Sequence, residues 1–154
     1  MYAKKEHISK IWPLLAPYEL DHSNIKNLNH TGTHPVATDL AINDALDYFE
    51  AIGAKRKEER LRYLQRYWSD QVRGLPRILL NTPIDPDRSC GIANIGIEGI
   101  EPNQMAKSLL EEYKIYTVGI NYAGVYGCRI TPNIYTSTAE LDSFVKALKE
   151  MSQN

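Results

Sequence analysis

At 154 residues, with 43% hydrophobic and 24% charged side chains, the chain has the make-up of a globular domain long enough to bury a real core. Eighteen basic and nineteen acidic residues leave a net charge of −1, without the basic excess that nucleic acid or anionic lipid would attract. Two cysteines, Cys90 and Cys128, exclude a disulfide framework, and four scattered histidines with no CxxC pair argue against a structural metal.

No run of eighteen apolar residues is present, and Met1–His7 has no apolar signal core, so no membrane association and a cytoplasmic address are expected. Tyr2-Ala3 reads as the end of a strand, and His7 to Trp12 as one helical turn before Pro13. Residues 13–33 gather Pro13, Pro17, Asp21, Ser23, Asn24, Asn27 and Asn29 and are expected to be irregular. A structureless stretch of that length suggests a functional loop or a segment that lies against something else.

Two helices follow. In the first, Pro35 suits the opening position, Val36, Leu40, Ala45, Leu46 and Phe49 share one face, and Gly53 suits the C-terminal cap. The second is expected from about Lys55 to Arg73. Its apolar stripe is Leu61, Leu64, Trp68 and Val72, and Lys55 to Arg60 with Arg62 make a solvated face. Gly74 and Pro76 end it.

Strands are expected at Arg77–Asn81 and Cys90–Ile97, then a helix opened by Pro102 with Met105, Leu109 and Tyr113 inward. Two more strands, Ile115–Ile120 and Val125–Thr131, flank Asn121-Tyr122-Ala123-Gly124, which reads as a hairpin link or a substrate-facing loop. Ser137-Thr138-Ala139-Glu140 is a capping box for a last helix with Leu141, Phe144, Val145, Leu148 and Met151 on one face. This order predicts an α+β fold, a largely antiparallel sheet with helices packed on one face.

Three groups could carry chemistry. Arg129 lies in an apolar, strand-like run, between Cys128 and Ile130. Its planar fork either pairs with an internal acid or receives a carboxylate from outside in two parallel bonds. His30-Thr31-Gly32-Thr33-His34-Pro35 precedes a helix. Either Thr33 or His34 is an ordinary N-cap, or Gly32 and Thr33 make an anion site at the helix start. Tyr122, Asn133 and Tyr135 lie near Arg129 in sequence and are either structural or ligand contacts.

These pieces together resemble the C-terminal part of class V aminotransferases, which are fold-type I pyridoxal-phosphate enzymes, and most of all the isopenicillin N epimerase-like members, with cysteine desulfurases as more distant relatives. The likeness is carried by Met1–Ile8, by His30–Pro35 with Ala41–Asp47 and Glu50–Gly53, and by Arg129-Ile130-Thr131-Pro132-Asn133-Ile134-Tyr135-Thr136. It implies that residues 1–33 are a remnant of the large domain and crossover, and 34–154 the small C-terminal domain. It implies that Arg129 grips the α-carboxylate of an amino-acid substrate. Gly32 and Thr33 would reach across a homodimer to the phosphate of the partner's pyridoxal 5′-phosphate, with His30, Asn133 and Tyr122 as site neighbours.

The family's cofactor lysine sits upstream in a His-Lys motif that is absent here, and Lys4 and Lys5 fall after that point. The 154-residue chain alone is therefore expected to bind no cofactor and to be inactive. The alternative is a non-catalytic interaction module that associates through the apolar face a large domain would cover. Cys90 falls in a strand-like run and does not match the desulfurase nucleophile.

Overall fold

Among the residues described by the computed structural model (3–16, 21–29, 32–33 and 35–153), the elements run α1 (Lys5–Ile8), a 3-10 turn (Ile25–Leu28), α2 (Val36–Ile52), α3 (Ala54–Val72), β1 (Ile78–Leu80), β2 (Ala93–Ile97), α4 (Pro102–Tyr113), β3 (Val118–Tyr122), β4 (Val125–Ile130) and α5 (Thr138–Gln153). The chain divides into two units, Met1–Tyr48 and Phe49–Asn154.

In the first unit the single helical turn forms two residues earlier than expected, at Lys5–Ile8. Tyr2, half of the expected strand end, lies outside the described residues. The irregular stretch contains local order that its Asx residues create. Asp21 Oδ1 accepts from the amide and hydroxyl of Ser23 at 2.9 and 2.7 Å, and Asn24 Oδ1 accepts from the Lys26 amide at 3.0 Å. The two bonds from Ser23 hold the Asp21 carboxyl below its ordinary pKa.

The α2 helix forms where the periodicity placed it, but its apolar stripe faces no core. The expected shared face is present, but none of its residues is buried among the described residues, and Val36, Leu40 and Leu46 are exposed. Periodicity marks which side of a helix is apolar, not whether a surface lies against it.

In the second unit the strands form one sheet in the order β1-β2-β4-β3, with every pairing antiparallel. The α4 crossover takes the chain past the place next to β2, and the tight turn at Ala123-Gly124 returns β4 into it. Both turn residues have positive φ, 50° and 79°, as a two-residue hairpin requires. The expected strand at Ile115–Ile120 starts later, because Lys114 closes α4 in the left-handed conformation and the chain needs several residues to reach the sheet. The strand expected from Cys90 begins at Ala93, and residues 89–92 are loop.

The helices cover one face of this sheet. Leu64, Trp68 and Val72 of α3, Met105 and Leu109 of α4, and Phe144 and Leu148 of α5 join Ala93, Ile95 and Ile97 of β2 and Cys128 and Ile130 of β4 in one core. Trp68 and Phe144 meet edge to face with ring centroids 5.2 Å apart. Each fully buried aliphatic or aromatic side chain here stabilises the fold by about 1.5–3 kcal/mol. Because side chains alternate along a strand, the residues between these core positions turn to the other face.

Candidate functional site: an arginine on the helix-free face of the sheet

Arg129 is one of those intervening residues. It sits on β4, an inner strand, directly across from Asn94 on β2 and Val118 on β3. Its neighbours Cys128 and Ile130 point into the core, so Arg129 points away from the helices, and it is exposed. Among the described residues it takes part in no ion pair, and its guanidinium donates no hydrogen bond to the chain.

The groups directly across from the guanidinium carry no charge. Asn94 is fixed on three sides. Its amide donates to Thr82 Oγ1 at 2.8 Å, its carbonyl accepts from the Asn81 amide at 3.0 Å, and its Oδ1 accepts from Asn81 Nδ2 at 2.6 Å. The same Asn81 nitrogen reaches over to the main-chain oxygen of Tyr126 at 2.9 Å. A pair of asparagines therefore ties the end of β1 to β2 and to β4 at Tyr126, three residues from Arg129. Nothing in the pattern of residues marked Asn81 and Asn94 beforehand; their partners are main-chain groups, the Thr82 hydroxyl and each other.

The backbone packs tightly at this point. A Cβ on Gly127 would lie 2.5 Å from the oxygen of Ile95 and 2.7 Å from Asn94 Oδ1, so only glycine fits.

The segment after Arg129 is held as firmly. Asn133 and Thr136 exchange bonds, with the Asn133 amide to Thr136 Oγ1 at 3.0 Å and the Thr136 amide to the Asn133 oxygen at 2.8 Å. The Asn133 carboxamide oxygen accepts from the Ile134 amide. The side chain is thus engaged in its own turn. Tyr122 and Tyr135 are both 81% exposed, Tyr122 at the end of β3 beside the hairpin turn.

Arg60 of α3 anchors this segment, donating to the oxygens of Ile134 and Thr136 at 3.4 and 3.0 Å. Arg62 pairs with Glu58 at 2.8 Å and donates to the oxygens of Pro86 and Ser89. Both arginines were read as part of a solvated face; they are instead cross-links from α3 to two loops.

Gly32 and Thr33 lie in the other unit. Gly32 has a φ of 85°, a Cβ there would meet nothing within 4 Å, and Thr33 is exposed. His30 lies outside the described residues. The cysteines differ sharply. Cys128 is fully buried, its thiol donates to the Pro102 oxygen at 3.4 Å, and burial pushes its pKa up. Cys90 is exposed in the loop before β2 rather than in a strand. Among the described residues no cluster of His, Cys, Asp or Glu is placed to hold a metal, and no helix is long and apolar enough to cross a membrane.

Comparison with known proteins agrees with this architecture. Isopenicillin N epimerase of Amycolatopsis lactamdurans is 23% identical over 130 residues, which are 84% of this chain and 33% of that protein. The apo cysteine desulfurase of Thermococcus onnurineus superposes with a TM-score of 0.80 at 18% identity, over 99% of this chain and 42% of that one. A cysteine desulfurase of Escherichia coli gives 0.75 at 19% identity, over 97% and 41%. An alanine–glyoxylate aminotransferase of Nostoc sp. gives 0.62 at 16% identity, over 88% and 38%. The chain thus spans about a third of the length of its curated relative and about two-fifths of these structures. The family model for class-V aminotransferases matches residues 14–144, and the chain belongs to that family.

Proposed function

We propose that the whole protein acts on an amino acid with pyridoxal 5′-phosphate as its cofactor, and that this stretch supplies the grip on the substrate's α-carboxylate. The observation that carries the reading is Arg129, an exposed guanidinium on a sheet face, with no acidic partner among the described residues. A fixed cation of this kind suits a carboxylate in bidentate contact. By holding the carboxylate, Arg129 sets which bond at the α carbon is turned across the plane of the cofactor ring.

Residues 34–154 are read as the small C-terminal domain, and 1–33 as part of a large domain and the crossover from it. Gly32 and Thr33 fit a phosphate contact made across a homodimer, because the backbone at Gly32 is unobstructed and the Thr33 residue is exposed. The bound cofactor supplies an electron sink for breaking a bond at the α carbon. No lysine here matches the family's His-Lys motif, so the 154-residue chain by itself is expected to be inactive. Epimerisation is the subtype that the curated likeness supports.

The test follows the Arg129 side-chain N–H resonance as L-alanine is added. A saturable shift, weakened about tenfold or more in Arg129→Lys, supports the site. An unresponsive Arg129 resonance rejects it. An absorbance band from added pyridoxal phosphate that persists through dialysis would contradict the expected inactivity of the chain alone.

A second reading is a non-catalytic interaction module, favoured by the exposed Val36, Leu40, Ile42 and Leu46 of α2. It requires tight self-association or partner binding that survives Arg129→Lys and is lost in Leu40→Glu/Leu46→Glu.

A further inference from the structure

Asn94 stands directly across the strand pair from Arg129, where cross-strand side chains are about 5 Å apart. Of its polar groups, the amide, the carbonyl and Oδ1 are all engaged. Its Nδ2 is buried and has no partner among the described residues. Leaving a buried donor unpaired costs stability, and it calls for a reason.

An aspartate at this position would remove that defect. Its carboxylate would still accept the bond from Asn81 Nδ2, so the tie between β1, β2 and β4 would survive. It would have no unpaired N–H, and its second oxygen would face a guanidinium one strand away. By its hydrogen-bond count alone, aspartate is the better-satisfied residue. Its drawback is that it would occupy Arg129.

We propose that Asn94 is a positioning residue that holds the three-strand tie while denying Arg129 an internal counter-ion, which keeps the guanidinium available to an incoming carboxylate. Val118, on the other side of Arg129, is likewise uncharged. The proposal rests on the reading of Arg129 as the carboxylate site and names the device that keeps that site open.

The experiment compares the full chain with Asn94→Asp, Asn94→Ala and Asn94→Asp/Arg129→Met, by nuclear magnetic resonance and thermal unfolding, with L-alanine as the probe. In Asn94→Asp the new carboxyl is expected to titrate at least about one pH unit below the usual value of about 3.9. It should return toward that value when Arg129 is Met. The melting midpoint of Asn94→Asp at neutral pH should match or exceed that of the unaltered chain, and Asn94→Ala should melt lower. L-alanine should bind Asn94→Asp about fivefold or more weakly, with affinity recovering as the new carboxyl is protonated.

A carboxyl at position 94 that titrates at or above its usual value overturns the proposal. So does L-alanine affinity equal to that of the unaltered chain, and in that case the carboxylate site itself still stands. If instead the unaltered Arg129 ignores L-alanine, the site reading falls and takes this proposal with it.

Discussion

Arg60 donates from α3 to the main-chain oxygen of Thr136 at 3.0 Å, joining residues seventy-six positions apart. A second bond from its Nε to Ile134 holds the same segment. Hydrogen bonds from a charged donor are each worth about 1.5–3 kcal/mol net, less where water competes. Arg60→Ala is therefore expected to lower stability by about 1–2 kcal/mol in a urea titration. It should also speed amide exchange at Thr136, whose local bond depends on the turn that Arg60 pins. Unchanged exchange there would show that the turn stands by itself.

The start of α5 makes a pH-dependent prediction. Glu140 accepts from the amide and hydroxyl of Ser137 at 2.8 Å each, and the Ser137 hydroxyl accepts in return from the Glu140 amide at 3.2 Å. The bond from the Ser137 amide, and then that from its hydroxyl, lower the Glu140 pKa from its ordinary value of 4.5. A lowered folded-state pKa means the cap contributes fully above about pH 4.5 and loses that contribution as pH falls through the folded value. Glu140→Gln should thus lower the melting midpoint at pH 7 and change it less at pH 3. Equal losses at both pH values would show that charge plays no part in the cap.

Gly127→Ala tests the packing beneath Arg129. The added methyl would meet the Ile95 oxygen at 2.5 Å and must push β4 from β2. Overpacking of this kind costs about 1–3 kcal/mol. The change should also displace Arg129, two residues on. Its resonance should shift, and its response to L-alanine should weaken. A variant as stable as the parent, with the Arg129 resonance unmoved, would show that the strands have slack here.

The two thiols should react in separate phases. Cys90 is exposed and should label with a disulfide reagent at neutral pH within the mixing time of a manual assay. Cys128, buried and with its pKa raised by that burial, should label only as fast as the unit opens. Two equivalents released in one fast phase would place Cys128 at the surface.

Much of the fold was legible because its signals are local. Ser137 and Glu140 sit three apart, where the capping box requires them, and Pro102 opens α4 as its fixed φ allows. Glu101, whose carboxylate caps α4 by accepting from the Asn103 and Gln104 amides, is not among the usual N-cap residue types, so its role is not legible from residue type. Arg60 and Arg62 were misread because their acceptors are carbonyls far along the chain, which no side-chain pattern encodes. Asn94 was missed for a related reason. Its importance comes from the register that sets it opposite Arg129, and register depends on how the strands meet in space. The stripe on α2 shows the converse, a strong periodic signal on a helix with nothing buried.

That last feature changes how the molecule should melt. A seventeen-residue helix with no buried side chain draws on intrinsic propensity, which is marginal for a rod of that length in water. Warming or mild denaturant should fray α2 while Trp68 still rests against Phe144, so far-ultraviolet ellipticity will fall ahead of the indole signal. A single transition temperature would then average two events, and the stability changes expected for Arg60, Asn94, Gly127 and Glu140 variants belong to the second unit's event alone.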